Sequence, residues 1–321
     1  MAEVKRKKRS KLQSYNRWGY VFVIPFIIVF CVFSLYPVFR TLHLSFTDFK
    51  GSLIKGFNYV GFKNYIRVFT DKMFWRAFGN TWKIWGINIV LQLGLAFLLT
   101  IIFSDIKYKV KGLSIFRAVF YLPNIISCTS VAFLFRMLLD HRYGSFNRIL
   151  HDASLKLHNI FSFLPVYSPK DWLGSSSTAF AAIAIVAAWM WFGNSFILLM
   201  ASVQGIPKDY FEAAAIDGAN RWKVFGKITL PLIRPILLYV AITSLIGGLQ
   251  MFDLPFLMVP SPSQASYDSI QTAMMYLYKF GFGSGATKQV GYASAVAYVL
   301  FLIIFAFSVA QFFIFNRKED K

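Results

Sequence analysis

Two apolar stretches carry side chains able to bond a polar solute: Trp189, Trp191 and Asn194 in one, Gln250, Phe252 and Asp253 in the other. Aromatic faces cover the CH faces of a sugar ring, while amides and a carboxylate bond hydroxyls, so the set suits a polyhydroxylated solute. Asp253 lies well inside an apolar stretch, where a carboxylate is expensive unless it faces a cavity or a partner. A second reading stays open, with Trp189 and Trp191 as packing or interfacial residues, Gln250 as a helix-to-helix bond and Asp253 near the outer water boundary. Other chemistries lack their residues. His43, His141, His151 and His158 show no HExxH spacing, and Cys31 and Cys128 form no CxxC, which points away from a metal centre and makes the cysteines packing residues. No paired carboxylates, Ser/His or His/Asp arrangement falls in the apolar stretches, so no catalysis is expected. Gly226-Lys227 resembles the end of a phosphate-binding loop, but Arg221 and Ile228 stand where that loop needs Gly and Ser or Thr.

The elements that position these residues are membrane spans. Of the 321 residues, 57% are hydrophobic and 19% aromatic, while 15% are charged against roughly 25% in soluble domains. Six segments can cross roughly 30 Å of hydrocarbon. They run from Tyr20 to Phe39, Ile84 to Phe103, Ile115 to Leu139, Ala179 to Val203, Ile236 to Val259 and Tyr292 to Phe315. Lys and Arg outnumber Asp and Glu by 34 to 14, but the basic residues flank apolar runs, which favours contact with an anionic membrane surface over nucleic acid. The cluster Lys5, Arg6, Lys7, Lys8, Arg9 and Lys11 precedes a run too long for a signal h-region and without a small-residue cleavage site, so the run reads as a retained anchor. Placing that tail in the cytoplasm puts both termini inside, together with Lys107, Lys109, Lys111, Arg221, Lys223, Lys227, Arg317 and Lys318. Residues 145–177 read as an outer loop packed on the mouth. The expected organisation is a tail at 1–19, one membrane domain at 20–315 and a tail at 316–321.

The stretch Ile206 to Pro235, IPKDYFEAAAIDGANRWKVFGKITLPLIRP, is not an ordinary loop. Pro207 suits a first helical turn, Asp209 and Glu212 suit the positive end of a helix dipole, and Ala213, Ala214 and Ala215 favour helix while leaving a smooth face. Gly218 allows a sharp turn. A second short amphipathic helix follows, with Trp222, Phe225 and Ile228 at helical spacing, and Pro231 is expected to disrupt it. A helix, Gly turn, helix unit beneath a membrane bundle is a docking surface.

Glu212-Ala213-Ala214, three residues, Gly218, nine residues, then Ile228-Thr229-Leu230-Pro231 resembles the EAA motif of permease subunits in binding-protein-dependent ATP-binding-cassette importers. The likeness runs nearly end to end with the carbohydrate branch, through Gly61-Phe62-Lys63-Asn64-Tyr65, Asp71, Phe74-Trp75, Asn80-Thr81, Arg117, Leu122-Pro123, Tyr143-Gly144, Asn147, Trp172-Leu173-Gly174 and Gly291-Tyr292-Ala293. After Phe252-Asp253, many relatives continue into a TxGGP turn; here the chain reads Met258-Val259-Pro260-Ser261-Pro262-Ser263.

The resemblance implies an all-α, MetI-like permease bundle of type I. Glu212, Ala213, Ala214, Asp217, Gly218, Leu230 and Pro231 would form the coupling loop, and the segment from Pro207 to Trp222 would seat in a groove on a cytoplasmic ATPase. It further implies a second permease subunit, two ATPase subunits that bind ATP and Mg, an external sugar-binding protein and no cofactor in this chain. An ion-coupled secondary carrier would keep the spans but leave the docking loop unexplained. Which sugar is carried is not legible, because choice in such systems largely resides in the external binding protein.

Overall fold

A computed structural model of the chain describes residues 15–52, 56–103, 112–259, 266–284 and 287–316. The basic cluster at 5–11, Lys107, Lys109, Lys111, residues Pro260 to Ser263, Arg317 and Lys318 lie outside the described residues. The elements in chain order are α1 (Tyr15–Phe30), a π-helical turn (Cys31–Leu35), α2 (Tyr36–Ser45), α3 (Lys63–Thr70), α4 (Lys72–Phe103), α5 (Leu113–Ile125), α6 (Cys128–Leu138), α7 (Ser145–Ile160) and α8 (Ala179–Gln204). Then follow α9 (Lys208–Ile216), α10 (Arg221–Val224), a second π-helical turn (Phe225–Thr229), α11 (Leu230–Leu232), α12 (Arg234–Leu249), α13 (Asp253–Met258), α14 (Tyr267–Ile270), α15 (Ala273–Phe282) and α16 (Val290–Asn316). Among the described residues, extended pairing is confined to a bridge between Thr47 and Tyr59.

Among the described residues, four stretches are long and apolar enough to cross a membrane: Gly19–Ser45, Lys72–Phe103, Ala179–Gln204 and Val290–Ile314. Two bent pairs, Leu113–Ile125 with Cys128–Leu138 and Arg221–Leu232 with Arg234–Leu249, raise the number to as many as six. The bounds expected for the six spans are corrected at three of them. The second begins at Lys72, so at 1.5 Å per residue it is about 48 Å long and overshoots the hydrocarbon. The third, expected from Ile115 to Leu139, folds over by 89°. Its two halves part at Ile126 and Ser127, both in extended conformation, and the Ser127 hydroxyl caps α6 by accepting from the Ser130 N–H. The fifth, expected to continue to Val259, stops at Leu249. Pro255 has no N–H to reach the carbonyl of Met251 and its ring would crowd it, so the helix breaks and that carbonyl accepts from Thr272 Oγ1 at 2.8 Å instead.

Both π-helical turns sit just ahead of a proline, Pro37 or Pro231, at the first turn of the next helix. A widened turn accommodates the ring and the missing N–H. Pro231 thus disrupts the helical pattern, as expected, through the widened turn ahead of it and without ending the helix. The break falls at Ile233, two residues before Pro235, where Pro is again suited to a first turn.

The described residues group into two compact units: one of residues up to Val68 with Phe280–Tyr298, the other of Phe69–Lys279 with residues from Val299 on. In the first, Asn64 Nδ2 donates to the carbonyls of Ser45 and Thr47, each at 2.8 Å, and the Tyr65 hydroxyl meets Ser45 Oγ at 2.7 Å. The Arg67 guanidinium lies 4.0 Å from the Tyr292 ring centroid. At Gly291, whose N–H reaches the Phe49 carbonyl, an added Cβ would strike the Thr47 carbonyl. Two stretches singled out by resemblance, Gly61–Tyr65 and Gly291–Ala293, therefore act as one structural node.

In the second unit α4 packs along α8 through buried Ile84 and Ala96 on one side and Ala184, Ala187, Phe196 and Leu199 on the other. Small residues allow close approach where lipid supplies no hydrophobic drive. Gly193 faces the Phe120 carbonyl and Gly248 faces the Trp85 indole, neither leaving room for a Cβ. The Trp85 Nε1–H donates to the Ser244 carbonyl at 3.0 Å.

Candidate coupling loop and solute cavity

The stretch from Ile206 to Pro235 folds as a bent foot on the second unit. Pro207, in extended conformation, hands the chain to α9, with Asp209 in its first turn. Phe211 packs into the cluster built on Phe196, Leu199, Met200, Val203 and Ile233, and Ala214, one turn on, is buried. The opposite side of α9 is open. Glu212, Ala213, Ala215, Asp217 and Gly218 are exposed, Ile216 is 87% exposed, and Tyr210 stands out beside them.

Gly218 has φ +67° and closes α9: its N–H reaches the Ala215 carbonyl and the Ala219 N–H reaches the Ala214 carbonyl at 2.9 Å, satisfying carbonyls that a helix end leaves orphaned. Asn220 then starts α10, its side chain accepting from the Lys223 N–H at 2.8 Å. Sequence spacing put Trp222 on one face with Phe225 and Ile228. The intervening π-helical turn shifts the register, so Phe225 packs against Phe97 with ring centroids 5.8 Å apart while Trp222 stays 62% exposed. Leu230 and Pro231 form α11 and return the chain to α12. The foot therefore offers Tyr210, Ile216 and Trp222 as apolar contacts around Glu212 and Asp217, on a helix held from behind by Phe211.

A cavity of about 200 Å³ lies among α4, α5, α8 and α12, lined by Gln92, Asn124, Trp191, Asn194, Ser195, Leu198, Val240, Thr243, Ser244, Gly247 and Gly248. Gln92 is held by a 2.8 Å bond from its Nε2 to Ser195 Oγ, and its buried Oε1 is left as a spare acceptor. One turn earlier on α4, Asn88 is fully buried with neither amide atom hydrogen-bonded within the chain. A buried, unsatisfied amide is costly in an apolar setting. Of these atoms, Gln92 Oε1 belongs to a residue that lines the cavity.

Of the sequence-selected solute residues, the structure brings Asn194 and Trp191 to this cavity. It does not bring Trp189, Gln250, Phe252 or Asp253. Trp189 turns into the apolar core, 5.3 Å from the Phe135 ring, because residues two apart on a helix point about 200° apart. Gln250 is exposed at the end of α12. Phe252 stacks on Phe256 and Tyr278 at 4.9 and 4.8 Å, and Asp253 is exposed in the first turn of α13, where the helix dipole favours a carboxylate. Sequence reasoning missed Gln92, Asn124, Thr243 and Ser244. The available signal was Asn88 and Gln92, four apart on one face of an otherwise apolar span.

A multi-pass helical bundle with two bent pairs, a polar cavity and a projecting helical foot defines a membrane transport permease, and the chain belongs to the family of binding-protein-dependent transport system inner membrane components, which matches residues 94–318. It is 29% identical to the lactose transport system permease protein LacF of Rhizobium radiobacter over 99% of this chain and 100% of that one. It is 31% identical to the multiple sugar-binding transport system permease protein MsmF of Streptococcus mutans, over 97% and 99%. Among solved structures, a chain of a bacterial ABC transporter involved in the import of the acidic polysaccharide alginate shares the fold, with a TM-score of 0.79 over 95% of this chain and 96% of that one at 21% identity. The all-α, MetI-like fold expected from the sequence is the fold observed.

Proposed function

We propose that this permease carries a carbohydrate across the cytoplasmic membrane, driven by ATP hydrolysis on separate subunits. The observation that carries the reading is the foot: α9 is rooted in the bundle by Phe211 and Ala214 but turns Glu212, Ile216 and the Gly218 bend outward. The names of the lactose and multiple-sugar relatives support the solute class. The chain works with a second, similar permease, two ATPase subunits that bind ATP and Mg, and an external sugar-binding protein. Its termini and the loop at 206–235 lie in the cytoplasm, and residues 20–315 act as one permease domain.

Glu212, Ala213, Asp217 and Gly218 seat in a groove on the ATPase, with Glu212 paired to a basic residue there, while Ala214, expected in that contact, instead faces the bundle and roots α9, and Leu230 and Pro231 link the foot to α12. Closure of the two ATPases draws two such feet together. Because packed helices have discrete arrangements, that displacement passes to α8 and α12 and changes access to the cavity between them. In the cavity, Trp191 supplies an aromatic face and Gln92, Asn124, Asn194, Thr243 and Ser244 supply hydrogen-bonding groups for hydroxyls. Glu212→Lys tests the docking role: in membranes with normal amounts of the permease, ATP hydrolysis is expected to lose its coupling to uptake of labelled sugar. Normal uptake by this variant would overturn the reading, and uptake lost only with an ionophore would point to an ion-coupled carrier.

A further inference from the structure

Helix α7 wears its amphipathicity inside out. Phe146, Ile149, Leu150, Ala153, Leu157 and Ile160 recur at intervals of three, four and seven and form one apolar stripe. In a water-soluble protein that stripe would face the core. Here the neighbouring polar flank does most of the packing, although Phe146, at the start of the stripe, also meets the Trp172 ring at 5.4 Å. Asn147 Oδ1 accepts from Tyr167 Oη, Trp172 Nε1 and the Lys170 N–H, and its Nδ2 donates to the Lys170 carbonyl at 2.8 Å. His151 Nδ1 meets the Tyr167 carbonyl at 2.8 Å, Ser154 Oγ accepts from the Tyr167 N–H at 2.9 Å, and His158 Nδ1 meets the Leu164 carbonyl at 2.6 Å. The segment 164–172 is thus strapped to the polar side, while Ile149 is 64% and Ile160 70% exposed on the other.

Two observations identify what covers the stripe. The first is continuity: only a six-residue connection, 139–144, separates α7 from α6, the second half of a bent apolar pair whose Phe133 and Met137 are themselves exposed. Beyond α7, the 26 residues of α8 lead across to the foot, so α7 lies at the membrane face opposite the foot. The second is charge. Arg142 and Arg148 are exposed nearby, and Lys156 borders the stripe. Asp140 is already engaged by the N–H groups of Tyr143, chiefly, and Arg142, which hold its carboxyl below the usual carboxylate range. A stripe of apolar residues edged by exposed cations is the pattern of a helix lying in the head-group boundary of a bilayer.

We propose that α7 is an interfacial anchor: its apolar stripe lies in the acyl and head-group boundary of the leaflet opposite the foot, with Arg142, Arg148 and Lys156 at lipid phosphates. The anchor holds the end of α6 and the strapped segment 164–172 at a fixed depth while the rest of the bundle moves.

Nitroxide labels test this in the assembled transporter, reconstituted in nanodiscs of phosphatidylcholine and phosphatidylglycerol. Labels are attached at Ile149→Cys, Leu157→Cys, Ile160→Cys, Arg148→Cys and Asp152→Cys, one at a time, with Cys31 and Cys128 replaced by Ser. At 149, 157 and 160, collisions with oxygen, which partitions into lipid, are expected to exceed collisions with a water-soluble nickel chelate; at 148 and 152 the order reverses. Omitting phosphatidylglycerol is expected to move the first three labels toward water. Dominance of the nickel chelate at all five positions would overturn the proposal in favour of a solvated helix. Exclusion of both reagents at 149, 157 and 160 would overturn it in favour of a protein partner.

Discussion

Gly218 is the residue on which the shape of the foot turns, and its cost of replacement can be worked out. Its φ of +67° lies in the left-handed region, and a Cβ built there meets nothing within 4 Å. Substitution is therefore penalised by backbone conformation alone, about 1–2 kcal/mol for an ordinary L-residue. That shifts the bent foot against straighter alternatives by roughly five- to thirtyfold. Asn tolerates the left-handed region far better than Ala, and a β-branched residue does so worst. In proteoliposomes with the partner ATPases and binding protein, sugar uptake per ATP hydrolysed is expected to fall in the order Gly, Asn, Ala, Val, with membrane insertion unchanged. A Gly218→Val permease that transports like the unaltered one, or a Gly218→Asn permease no better than Gly218→Ala, would refute the reasoning.

Two further outcomes follow from the same geometry. Gln92→Leu removes the spare acceptor in the cavity and the bond to Ser195; a net hydrogen bond of about 1 kcal/mol predicts a drop of roughly fivefold in uptake at fixed ATP turnover, and unchanged uptake would exclude Gln92 from the solute path. Asp48 accepts from the Asn58 backbone N–H at 2.6 Å, and this bond is the main cause lowering its pKa. A lowered folded value means that the carboxylate's contribution is present above the ordinary Asp value and is lost as pH falls through the folded value. Hydrogen exchange at Asn58, corrected for intrinsic rate, is expected to speed up only below about pH 4, and Asp48→Asn is expected to abolish that dependence.

The bend of the foot was legible because the residues that make it act locally. Pro207, the alanines and Gly218 act through the backbone within a few residues and could be placed from the sequence, whereas the Asn220 cap and the register shift that separates Trp222 from Phe225 were not read. The bends in the spans were less legible. A hydropathy window sums transfer energies and is blind to direction, so an 89° turn at Ile126 and Ser127 leaves no mark in it. Pro255 did carry a readable signal for the break after Leu249, since its missing N–H falls where a continuous helix would need the Met251 carbonyl satisfied. The cavity was half legible. Asn194 and Trp191 sit on its wall, but grouping Trp189 with Trp191 ignored the helical period, and Gln92 was passed over because its partner Ser195 lies 103 residues away. Long-range pairs of this kind emerge only when α4 and α8 are brought together.

The central claim is that the exposed side of α9 meets the subunit that hydrolyses ATP, and a photo-crosslinking amino acid at Ile216 measures this most directly. In intact membranes the account predicts an adduct between this chain and a nucleotide-hydrolysing subunit, with a yield that changes when hydrolysis is arrested. Labelling of lipid or other proteins alone, with no such adduct, would contradict it.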